Sequence, residues 1–467
     1  MNIEKKLRFI EDQNNEYNKT KGYKRLLSLF DSGTFSEIDA FVKSADGYAE
    51  VITGYGLIDG VASYAFCQDS DRDGGAMSKA QLKKIKKVCE LAAKTGIPII
   101  GIYDSIGAKL SEGNGLLDEY GEVLKLYNNL SGVVPRISVI LGANLGTNAM
   151  LSVSSDFVIM QKSARLGIST IDENASSNDA EDNGLVHIVA INETDAINKT
   201  KKLISMFPIN NLSKANVRDF NESVNSLKEL DLVAQNISEP NNVESMKKVV
   251  AAVCDSKSFI EIQPKYGLSI ITGFGRLGGY TIGIVSSSNN QDGIIDEDSS
   301  SKASRMIRFC DAFSIPIITI INSKGFSSLK EATKLSCVYS EATTAKVNLI
   351  VGKAYGAVYI AIAGKGSGAD ATIAWPSAVI SPLEPKTAVQ VLLNSKVKDL
   401  KDPINDKKKL IRTYEETGAS AFMAASDGFI DDIICPVDTR SKLLSILDFL
   451  EGKRVSGLPK KHSNIPL

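Results

Sequence analysis

The residues that usually carry out enzyme chemistry are scarce in this chain. It has two histidines, His187 and His462, and it contains no HExxH, GxSxG, P-loop or GxGxxG pattern and no cluster of metal ligands. His187 stands between two apolar residues, a setting that favours a structural histidine over a catalytic base. If the chain is an enzyme, we therefore expect backbone amides, rather than side chains or a metal, to stabilise the charge of the reaction.

Two turns rich in small residues could present such amides. Residues 142–149 (GANLGTNA) and 352–359 (GKAYGAVY) each follow a buried apolar run. A small-residue turn between a strand and a helix presents unpaired N–H groups and the positive end of the helix dipole. That arrangement stabilises an oxyanion, by about 3–4 kcal/mol for each donor where water is excluded. For either turn alone, glycines needed only for tight strand–helix packing would be the better explanation. The paired occurrence gives the two explanations about equal weight.

The two turns belong to two copies of one longer pattern. Residues 51–60 (VITGYGLIDG) return as residues 270–279 (IITGFGRLGG), with an offset of 219 residues at the threonine. Upstream, residues 31–38 (DSGTFSEI) return as residues 255–262 (DSKSFIEI). Solenoid repeats have periods of about 20 to 50 residues. A repeat as long as this one therefore indicates a duplicated domain.

Each copy has the same order of predicted elements. Two short β-runs come first, at 48–53 and 61–67 in the first copy, and Gly54-Tyr55-Gly56 is predicted to join them. A helix, a buried strand, a second helix and a second buried strand follow at 79–94, 97–103, 115–130 and 137–141, and again at 301–313, 315–321, 329–343 and 347–351. This alternation predicts an α/β domain with its loops at the C-terminal ends of the strands. The polar stretch 171–183 is expected to be an exposed loop, and 208–242 a linker.

Composition excludes several classes of protein. The net charge of −1 gives no field that would attract nucleic acid or an anionic membrane. The six cysteines form no CxxC pair, and Cys89 and Cys310, at equivalent repeat positions, are predicted to be buried thiols. The N-terminus lacks the apolar core of a signal peptide, and the apolar stretch 347–364 contains Asn348 and Lys353, which make it too polar to span a bilayer. A cytoplasmic location is expected.

Further motifs run through most of the chain in one order. They are residues 30–35 (FDSGTF), 74–75 (GG), 131–135 (SGVVP), 183–187 (NGLVH), 296–311, 339–343, 353–356 (KAYG), 368–370 with 374–376, and 461–467 (KHSNIPL). In this order they resemble the carboxyltransferase subunit of biotin-dependent acyl-CoA carboxylases and of the related sodium-pumping acyl-CoA decarboxylases. The resemblance implies an α/β fold made by tandem duplication of two crotonase-like domains, of the ClpP/crotonase ββα-superhelix type. It places an acyl-CoA domain at residues 1–245 and a biotin domain at residues 246–467.

Members of that family move a carboxyl group between carboxybiotin and the α-carbon of an acyl-CoA, and the resemblance implies one oxyanion site in each copy. Gly146 and Thr147 would hold the thioester oxygen as it becomes an enolate. Gly356, Ala357 and Val358 would hold the ureido oxygen of biotin. No side-chain base is then needed, because the biotin anion left after CO₂ release can take the α-proton. The resemblance would thus explain the missing histidines.

Other binding residues are implied position by position. The acyl-CoA-binding residues would be Ser105, Ile106, Gly107, Ala108, Lys109 and Ile360, and the biotin-binding residues would be Gly325, Phe326 and Tyr355. Lys109 stands where the family usually has arginine, and a lysine suits a phosphate as a point charge. Ile360 falls where the family tunes acyl-chain length, and an apolar side chain there favours a short alkyl acyl group.

The resemblance also implies partners. The chain has no Met-Lys-Met biotinylation site, so biotin would arrive on a separate biotin carboxyl carrier protein, with a coenzyme A thioester as the substrate. A biotin carboxylase partner would mean carboxylation, whereas membrane decarboxylase subunits would mean decarboxylation, and the sequence leaves the direction open. Family members assemble as three dimers in a ring, so a homo-hexamer is expected, in the cytoplasm or peripheral to a membrane complex.

The sequence departs from the family pattern at three places. The loop 324–328 passes almost directly into a helix where the family has a longer loop. The Gly-Gly pair of each turn is Gly146-Thr147 or Gly356-Ala357, and the first-copy loop reads DSIG in place of DSGG. These departures motivate an alternative, a catalytically weakened paralogue that acts as an assembly subunit. A stand-alone crotonase-type hydratase or hydrolase is a third hypothesis, but the sequence offers no convincing pair of glutamates for it.

Overall fold

The chain forms two compact units, residues 1–215 and 216–467, and each unit contains one copy of the repeat. The computed structural model describes residues 3–17, 20–44, 47–48, 50–169, 175–218, 220, 224–237, 242–290, 293–394 and 402–464. Of the loop expected at 171–183, residues 171–174 lie outside the described residues, and residues 177–182 form a short helix instead.

The first unit alternates strands and helices as predicted. Its helices are α1 (Ile3–Tyr17), α2 (Lys21–Leu29), α3 (Lys79–Thr95), α4 (Gly115–Asn129), α5 (Thr147–Val153), α6 (Ser177–Asp182) and α7 (Glu193–Ile204). Its strands are β1 (Ser36–Ile38), β2 (Lys43–Ser44), β3 (Gly47–Tyr48), β4 (Ile52–Ile58), β5 (Val61–Cys67), β6 (Ile99–Ser105), β7 (Arg136–Leu145), β8 (Phe157–Gln161), β9 (Arg165–Gly167) and β10 (Ile188–Ala190). The strands predicted at 97–103 and 137–141 correspond to β6 and β7.

The second unit repeats this order after two additional helices. Its helices are α8 (Val224–Asn236), α9 (Val243–Val253), α10 (Glu297–Ala312), α11 (Leu329–Glu341), α12 (Pro385–Leu392), α13 (Pro403–Glu416), α14 (Ala421–Ser426) and α15 (Thr439–Leu450). Its strands are β11 (Ile260–Ile262), β12 (Ile270–Leu277), β13 (Tyr280–Ser287), β14 (Ile294–Ile295), β15 (Ile317–Ser323), β16 (Gly325–Phe326), β17 (Lys346–Tyr355), β18 (Ala371–Ala374), β19 (Val379–Ser381) and β20 (Asp432–Ile433).

The two main sheets have the same topology, which confirms the predicted duplication. The strand orders are β1-β4-β5-β6-β7-β8-β10 and β11-β12-β13-β15-β17-β18-β20. In each sheet the first three strands are antiparallel and the rest are parallel. A short extra strand, β9 or β19, pairs with the C-terminal end of β7 or β17. The C-terminal ends of the parallel strands therefore meet at one edge, where ligands of α/β sheets bind.

The glycines of the first hairpin do not join its strands, contrary to the prediction. Residues 54–56 lie inside β4, and the turn is at residues 59–60. A Cβ on the first of these glycines would come within 2.5 Å of the Phe35 ring. Gly273 stands in the same relation to Phe259, at 2.6 Å. A Cβ at either glycine would also lie 2.3 Å from a carbonyl oxygen of the neighbouring strand, that of Ser36 or Ile260. These positions are glycine because the neighbouring backbone and an aromatic ring both lie close to the strand, not because the chain turns there.

An aspartate clamps the turn of each hairpin. The Asp31 carboxylate accepts hydrogen bonds from the amides of residues 59 and 60, at 3.0 and 2.9 Å. The Asp255 carboxylate accepts from the amides of residues 278 and 279, at 3.0 and 2.8 Å. Asp255 also forms a buried ion pair with Arg440. The repeated motif at residues 31–38 and 255–262 therefore begins with the residue that fixes the hairpin.

The stretch predicted as a linker contains α8. Leu230 and Val233 of this helix are buried with Met246 of α9 in the core of the second unit. The Asn and Ser content suggested a linker, but the apolar spacing within it is that of a helix face. The units accordingly divide between residues 215 and 216, whereas the resemblance placed the division between residues 245 and 246.

The cysteines Cys89 and Cys310 and the histidine His187, discussed in the sequence analysis, are buried. Cys89 and Cys310 are buried thiols, as predicted. Their positions are not equivalent, because Cys89 lies 11 residues after the cap Ser78 of α3 and Cys310 lies 14 residues after the cap Asp296 of α10. His187 is buried too, and its Nδ1 accepts a hydrogen bond from the Val158 amide at 3.0 Å, as suits a structural histidine. Among the described residues, no helix combines the length and apolar character that a membrane span requires.

Two lysines at equivalent positions of α3 and α10 are buried. Lys302 Nζ donates to the carbonyls of Tyr266 and Ile270, at 2.9 Å each. Lys84 Nζ makes no hydrogen bond within the described structure, and the nearest carboxylate oxygen, on Glu37, is 4.0 Å away. Burial lowers the pKa of both ammonium groups to about 8. The fold therefore compensates the burial of Lys302 better than that of Lys84.

Removal of Asp255 is expected to destabilise the protein more than removal of Asp31. Asp255→Ala leaves Arg440 buried without its counter-ion, at a cost of about 3–5 kcal/mol. Asp31→Ala removes two hydrogen bonds at a partly exposed carboxylate, at a cost of about 2 kcal/mol. Urea unfolding followed by the fluorescence of Trp375, the single tryptophan, reports on the second unit. Circular dichroism follows both units. If Asp255→Ala and Asp31→Ala shifted the unfolding midpoint measured in this way by the same amount, the expectation would be contradicted.

Lys84→Met is expected to stabilise the first unit near neutral pH. Because the pKa of Lys84 is lower in the folded than in the unfolded protein, the unfolded chain holds the proton more tightly, and the charged lysine destabilises the folded state. This destabilisation is complete below about pH 8 and is lost as the pH rises toward 10.5. The gain is at most about 3 kcal/mol at 1.36 kcal/mol for each pH unit. Lys302→Met should gain less, because it leaves two buried carbonyls without a donor. Urea unfolding at pH 7 and pH 10 tests this, and a gain independent of pH would refute it.

Candidate active site

In the first unit, the small-residue turn lies where β7 ends and α5 begins. Gly146 has φ +66° and ψ −141°, a conformation that favours glycine. Its amide donates to the Gly167 carbonyl on β9, at 3.0 Å. Helix α5 starts at Thr147, and the amides of Thr147 and Asn148 are first-turn donors for which a helix has no internal acceptor. Gly146 therefore shapes the turn, and the next two amides are the ones left for a ligand.

The second unit repeats this geometry at the end of β17. Gly356 has φ +43°, and its amide donates to the Ser381 carbonyl on β19, at 2.9 Å. The amides of Ala357 and Val358 follow as the first helical donors. The chain then continues as a short π-helical turn, residues 359–363, where the small-residue turn predicted an ordinary helix. Both predicted turns thus combine a positive-φ glycine with unpaired helical amides.

A chain of buried amides and one hydroxyl supports the first turn. Asn148 Nδ2 donates to Gln68 Oε1 at 3.0 Å and to Asn144 Oδ1 at 2.7 Å. Asn144 Nδ2 in turn donates to Ser152 Oγ at 2.5 Å. The residues of the second unit equivalent to Asn144, Asn148 and Ser152 are apolar: Ala354, Val358 and Ile362. Sequence reasoning missed this network: Asn148 and Ser152 are four residues apart on α5, but Asn144 lies at the end of β7 and Gln68 follows β5.

The loop predicted to contact coenzyme A follows β6 and lies beside the first turn. Ser105 Oγ accepts a hydrogen bond from the Gly107 amide at 3.1 Å. The Gly107 carbonyl accepts from the Met77 amide at 2.8 Å, and the Lys109 amide donates to the Met77 carbonyl at 2.9 Å. Gly107 has φ +113°, and a Cβ there would lie 3.2 Å from the Leu145 carbonyl oxygen. The loop is therefore held against the end of β7.

The remaining loop residues differ in exposure. The side chain of Ile106 is about half exposed, and its amide donates to the Gly74 carbonyl at 3.1 Å. Ala108 forms a β-bridge with Met77. Lys109 Nζ lies 3.1 Å from a carboxylate oxygen of Asp73, whose side chain is mostly exposed. The Lys109 side chain, which is 17% exposed, thus holds its ammonium group beside an exposed carboxylate.

A buried ion-pair network lies directly before this loop. Asp104 Oδ2 accepts from Arg25 Nη1 at 2.8 Å and from Ser70 Oγ at 2.9 Å. Arg25 also donates to both carboxylate oxygens of Glu193, at 2.5 and 3.2 Å. Burial alone would lower the pKa of the guanidinium, but the hydrogen bonds to Glu193 and Asp104 outweigh it, so the Arg25 pKa is raised. This network joins α2, β6 and α7.

The second unit has a neutral residue at the position of Asp104. Asn322 Oδ1 accepts from the Lys353 amide at 3.0 Å. The side chains of Asp104 and Asn322 each pack directly against a glycine of the neighbouring strand. A Cβ at Gly142 would lie 1.9 Å from Asp104 Oδ1, and one at Gly352 would lie 2.4 Å from Asn322 Oδ1. The two units thus share the packing at this position and differ in its charge.

The residues predicted to bind biotin lie on two elements of the second unit. Gly325 and Phe326 form β16, which pairs with β14 and is partly exposed. Helix α11 begins directly afterwards and is capped by Ser328, which confirms the short loop at residues 324–328. Tyr355 is the last residue of β17 and is 5% exposed, and burial raises the pKa of its hydroxyl. Tyr355 is therefore buried directly before the turn.

Removal of Arg25 alone is expected to destabilise the first unit more than removal of Arg25 and Asp104 together. Arg25→Met leaves the Asp104 carboxylate buried without its guanidinium, at a cost of about 3–5 kcal/mol. Adding Asp104→Asn removes the unpaired charge and introduces the residue type that the second unit has at Asn322. Urea unfolding of the wild type, the two single variants and the double variant measures the coupling. Additive losses would contradict the expectation.

Comparison with known proteins identifies the family. The carboxyl transferase domain model matches residues 13–465. The methylmalonyl-CoA decarboxylase subunit alpha of Propionigenium modestum is 35% identical, over 95% of this chain and 92% of its own length. The propionyl-CoA carboxylase beta chain of Cereibacter sphaeroides is 34% identical, over 95% of this chain and 93% of its own length.

A solved structure agrees with this assignment. The transcarboxylase 12S crystal structure, a hexamer with methylmalonyl-coenzyme A and methylmalonic acid bound, matches with a TM-score of 0.89 and 31% identity, covering 98% of this chain and 94% of that one. The match confirms the predicted α/β fold, in which each of two tandem domains is built on a mainly parallel sheet. With the family model spanning both units, this chain belongs to the carboxyl transferase family.

Proposed function

We propose that this chain is the carboxyltransferase subunit of a biotin-dependent acyl-CoA carboxylase or decarboxylase. It would move a carboxyl group between carboxybiotin on a separate carrier protein and the α-carbon of a short acyl-CoA. The observation that carries the proposal is the pair of strand-end turns, in each of which a glycine uses its own amide for strand pairing and leaves the next amides unpaired. The named activities of the relatives, a decarboxylase and a carboxylase, support it.

In the first unit, we assign the amides of Thr147 and Asn148 to the thioester oxygen. Negative charge develops on that oxygen when the α-carbon loses or gains a carboxyl group, and preorganised amides stabilise it by about 3–4 kcal/mol for each donor. The Gly146 amide is bonded to Gly167, so we assign to this glycine the shaping of the turn rather than a donor of its own. The hydrogen bonds of the Asn148 side chain keep the first helical turn in place.

In the second unit, we assign the amides of Ala357 and Val358 to the ureido oxygen of biotin, with Gly356 shaping the turn. Biotin, when bound, supplies the nitrogen that carries the carboxyl group between carrier and substrate. The residues fit a neutral, urea-like group, because they offer amide donors at a helix start and apolar or aromatic surroundings. Gly325–Phe326, partly exposed on β16, would contact biotin, and Tyr355 would hold the turn from below.

We assign the loop 105–109 to coenzyme A. Lys109 is paired with the exposed carboxylate of Asp73 at 3.1 Å, and a phosphate of coenzyme A would take the same ammonium group as a point charge. Ile106 would add an apolar contact. Ile360, which is 69% exposed in the second unit, would limit the length of the acyl chain and favour a short alkyl group.

We also propose the assembly that such a subunit needs. The partners would be a biotin carboxyl carrier protein and either a biotin carboxylase or membrane decarboxylase subunits, and the location would be the cytoplasm. The homo-hexamer is proposed because the similar transcarboxylase 12S is a hexamer. Purification of the native complex, followed by identification of its subunits, would decide the direction of the reaction.

Proline substitutions at the two turns test the amide assignments. Proline is favoured at the first helical position, so Thr147→Pro and Ala357→Pro each remove one donor while keeping the helix start. The wild type is expected to release CO₂ from malonyl-, methylmalonyl- or glutaconyl-CoA in a reaction that free biotin stimulates. Each proline variant should lower kcat by about 100- to 1000-fold. Melting temperatures should stay close to that of the wild type.

Matched controls keep the amides and change only the side chain. Thr147→Ala and Ala357→Ser should therefore retain turnover close to that of the wild type. Full activity in both proline variants would refute the assignments. Wild-type binding of acyl-CoA without any turnover would indicate that biotin has lost access at the loop 324–328. Neither binding nor turnover would favour the alternative function, an assembly subunit.

A further inference from the structure

One buried polar residue of the second unit, Asn348, has not yet been given a role. Asn348 lies in the middle of β17, inside an otherwise apolar stretch, and is 0% exposed. Its Nδ2 donates to the Ala363 carbonyl at 2.9 Å, and Thr372 Oγ1 of β18 donates to the same carbonyl at 3.2 Å. The equivalent residue of the first unit, Ser138, is bonded instead to Ser155. The contact with residue 363 is therefore specific to the second unit.

The Ala363 carbonyl is the end of the π-helical turn that follows the second oxyanion turn. This turn spans residues 359–363 and is closed by a hydrogen bond from the Gly364 amide to the Tyr359 carbonyl at 2.6 Å. A π-turn holds one residue more than an α-helical turn between its ends. One end is fixed where the Gly356 amide pairs with β19, and the other end is fixed by Asn348 and Thr372.

Ile360 projects from this turn toward solvent. It is 69% exposed, whereas the next residues, Ala361 and Ile362, are buried. The Ile360 amide donates to the Gly356 carbonyl at 3.1 Å, so Ile360 lies between the Gly356 end of the turn and the end fixed by Asn348 and Thr372. If the turn relaxed to an α-helix, the residues inside it would rotate relative to the sheet by about 100°, the rotation of one helical residue. The direction of Ile360 therefore depends on the anchors at both ends of the turn.

We propose that Asn348 is a positioning residue that holds the π-turn in register and thereby fixes the side chain of Ile360. The inference rests on the proposed function, in which Ile360 selects the acyl chain, and it adds a residue that is buried in the sheet. Asn348 Oδ1 has no hydrogen-bond partner in the described part of the chain, so an apolar residue of similar size would suit the core better. The bond to Ala363 is the contact that such a residue could not make.

Asn348→Leu tests the proposal, because it keeps the branched shape of the side chain and removes the donor. The measurement is kcat/KM for methylmalonyl-CoA and for ethylmalonyl-CoA, which differ by one methylene, in biotin-dependent decarboxylation. A hydrophobic pocket distinguishes one methylene by roughly 10- to 200-fold, and the variant should lose most of that ratio. The ratio is independent of the active fraction of a preparation. Asn348→Ser, with the residue type of the first unit, is a second variant.

Thr281→Val is the matched control, because Thr281 is also buried in the second unit with a hydroxyl that has no partner among the described residues. It should leave the ratio unchanged. A wild-type ratio in a stably folded Asn348→Leu would overturn the proposal. If the wild type turns over no acyl-CoA, the proposed function fails. Hydrogen exchange of the amides at 360–364 then tests, without any activity assay, whether Asn348 anchors the π-turn. Faster exchange in Asn348→Leu than in Thr281→Val supports the anchor, and equal exchange overturns it.

Discussion

The backbone hydrogen bond that each strand-end glycine donates to a short extra strand is the constraint on which the site depends. Gly146 pairs with β9 and Gly356 pairs with β19, and both glycines have positive φ. The amide is thus directed into the sheet, and the chain must leave the strand at the next residue. A helix that begins there cannot satisfy its own first amides. The donors of the proposed chemistry follow from this one pairing.

The two units keep this constraint and differ in what surrounds it. In the first unit, buried charges at Arg25 and Asp104 and a chain of amides through Asn148 lie around the turn. In the second unit, a neutral Asn322 and apolar residues occupy the same places. The charges of the first unit are paired with one another, so the two turns lie against surroundings that differ in polarity rather than in net charge.

The sequence predicts the features that rest on local pattern. The repeat, the strand–helix alternation and the two turns follow from periodicity and small residues, and the structure confirms them. The partner of each turn glycine could not be predicted, because β9 and β19 are three residues long and have no pattern of their own. The pairing of Arg25 with Glu193 joins residues 168 positions apart. Such contacts depend on the tertiary fold and leave no periodic signal.

The same limit explains the two corrections to the fold. Gly54 was assigned to a turn because glycine is common there, yet it accommodates the ring of Phe35 above a strand. Helix α8 was assigned to a linker from its composition, yet Leu230 and Val233 are buried in a core formed largely by later residues. In both cases a residue type was interpreted locally, whereas its role comes from a side chain or strand that packs on it.

The unequal roles of the two residues in each turn also bear on how such sites are found in other sequences. Only the first residue has positive φ, and the second, Thr147 or Ala357, lies at a helix start where any residue except proline can contribute its amide. A side chain at the second position therefore changes the shape near the ligand but not the number of donors. A search pattern for this kind of site should require glycine once in each turn, and a pattern that requires two would overlook chains such as this one.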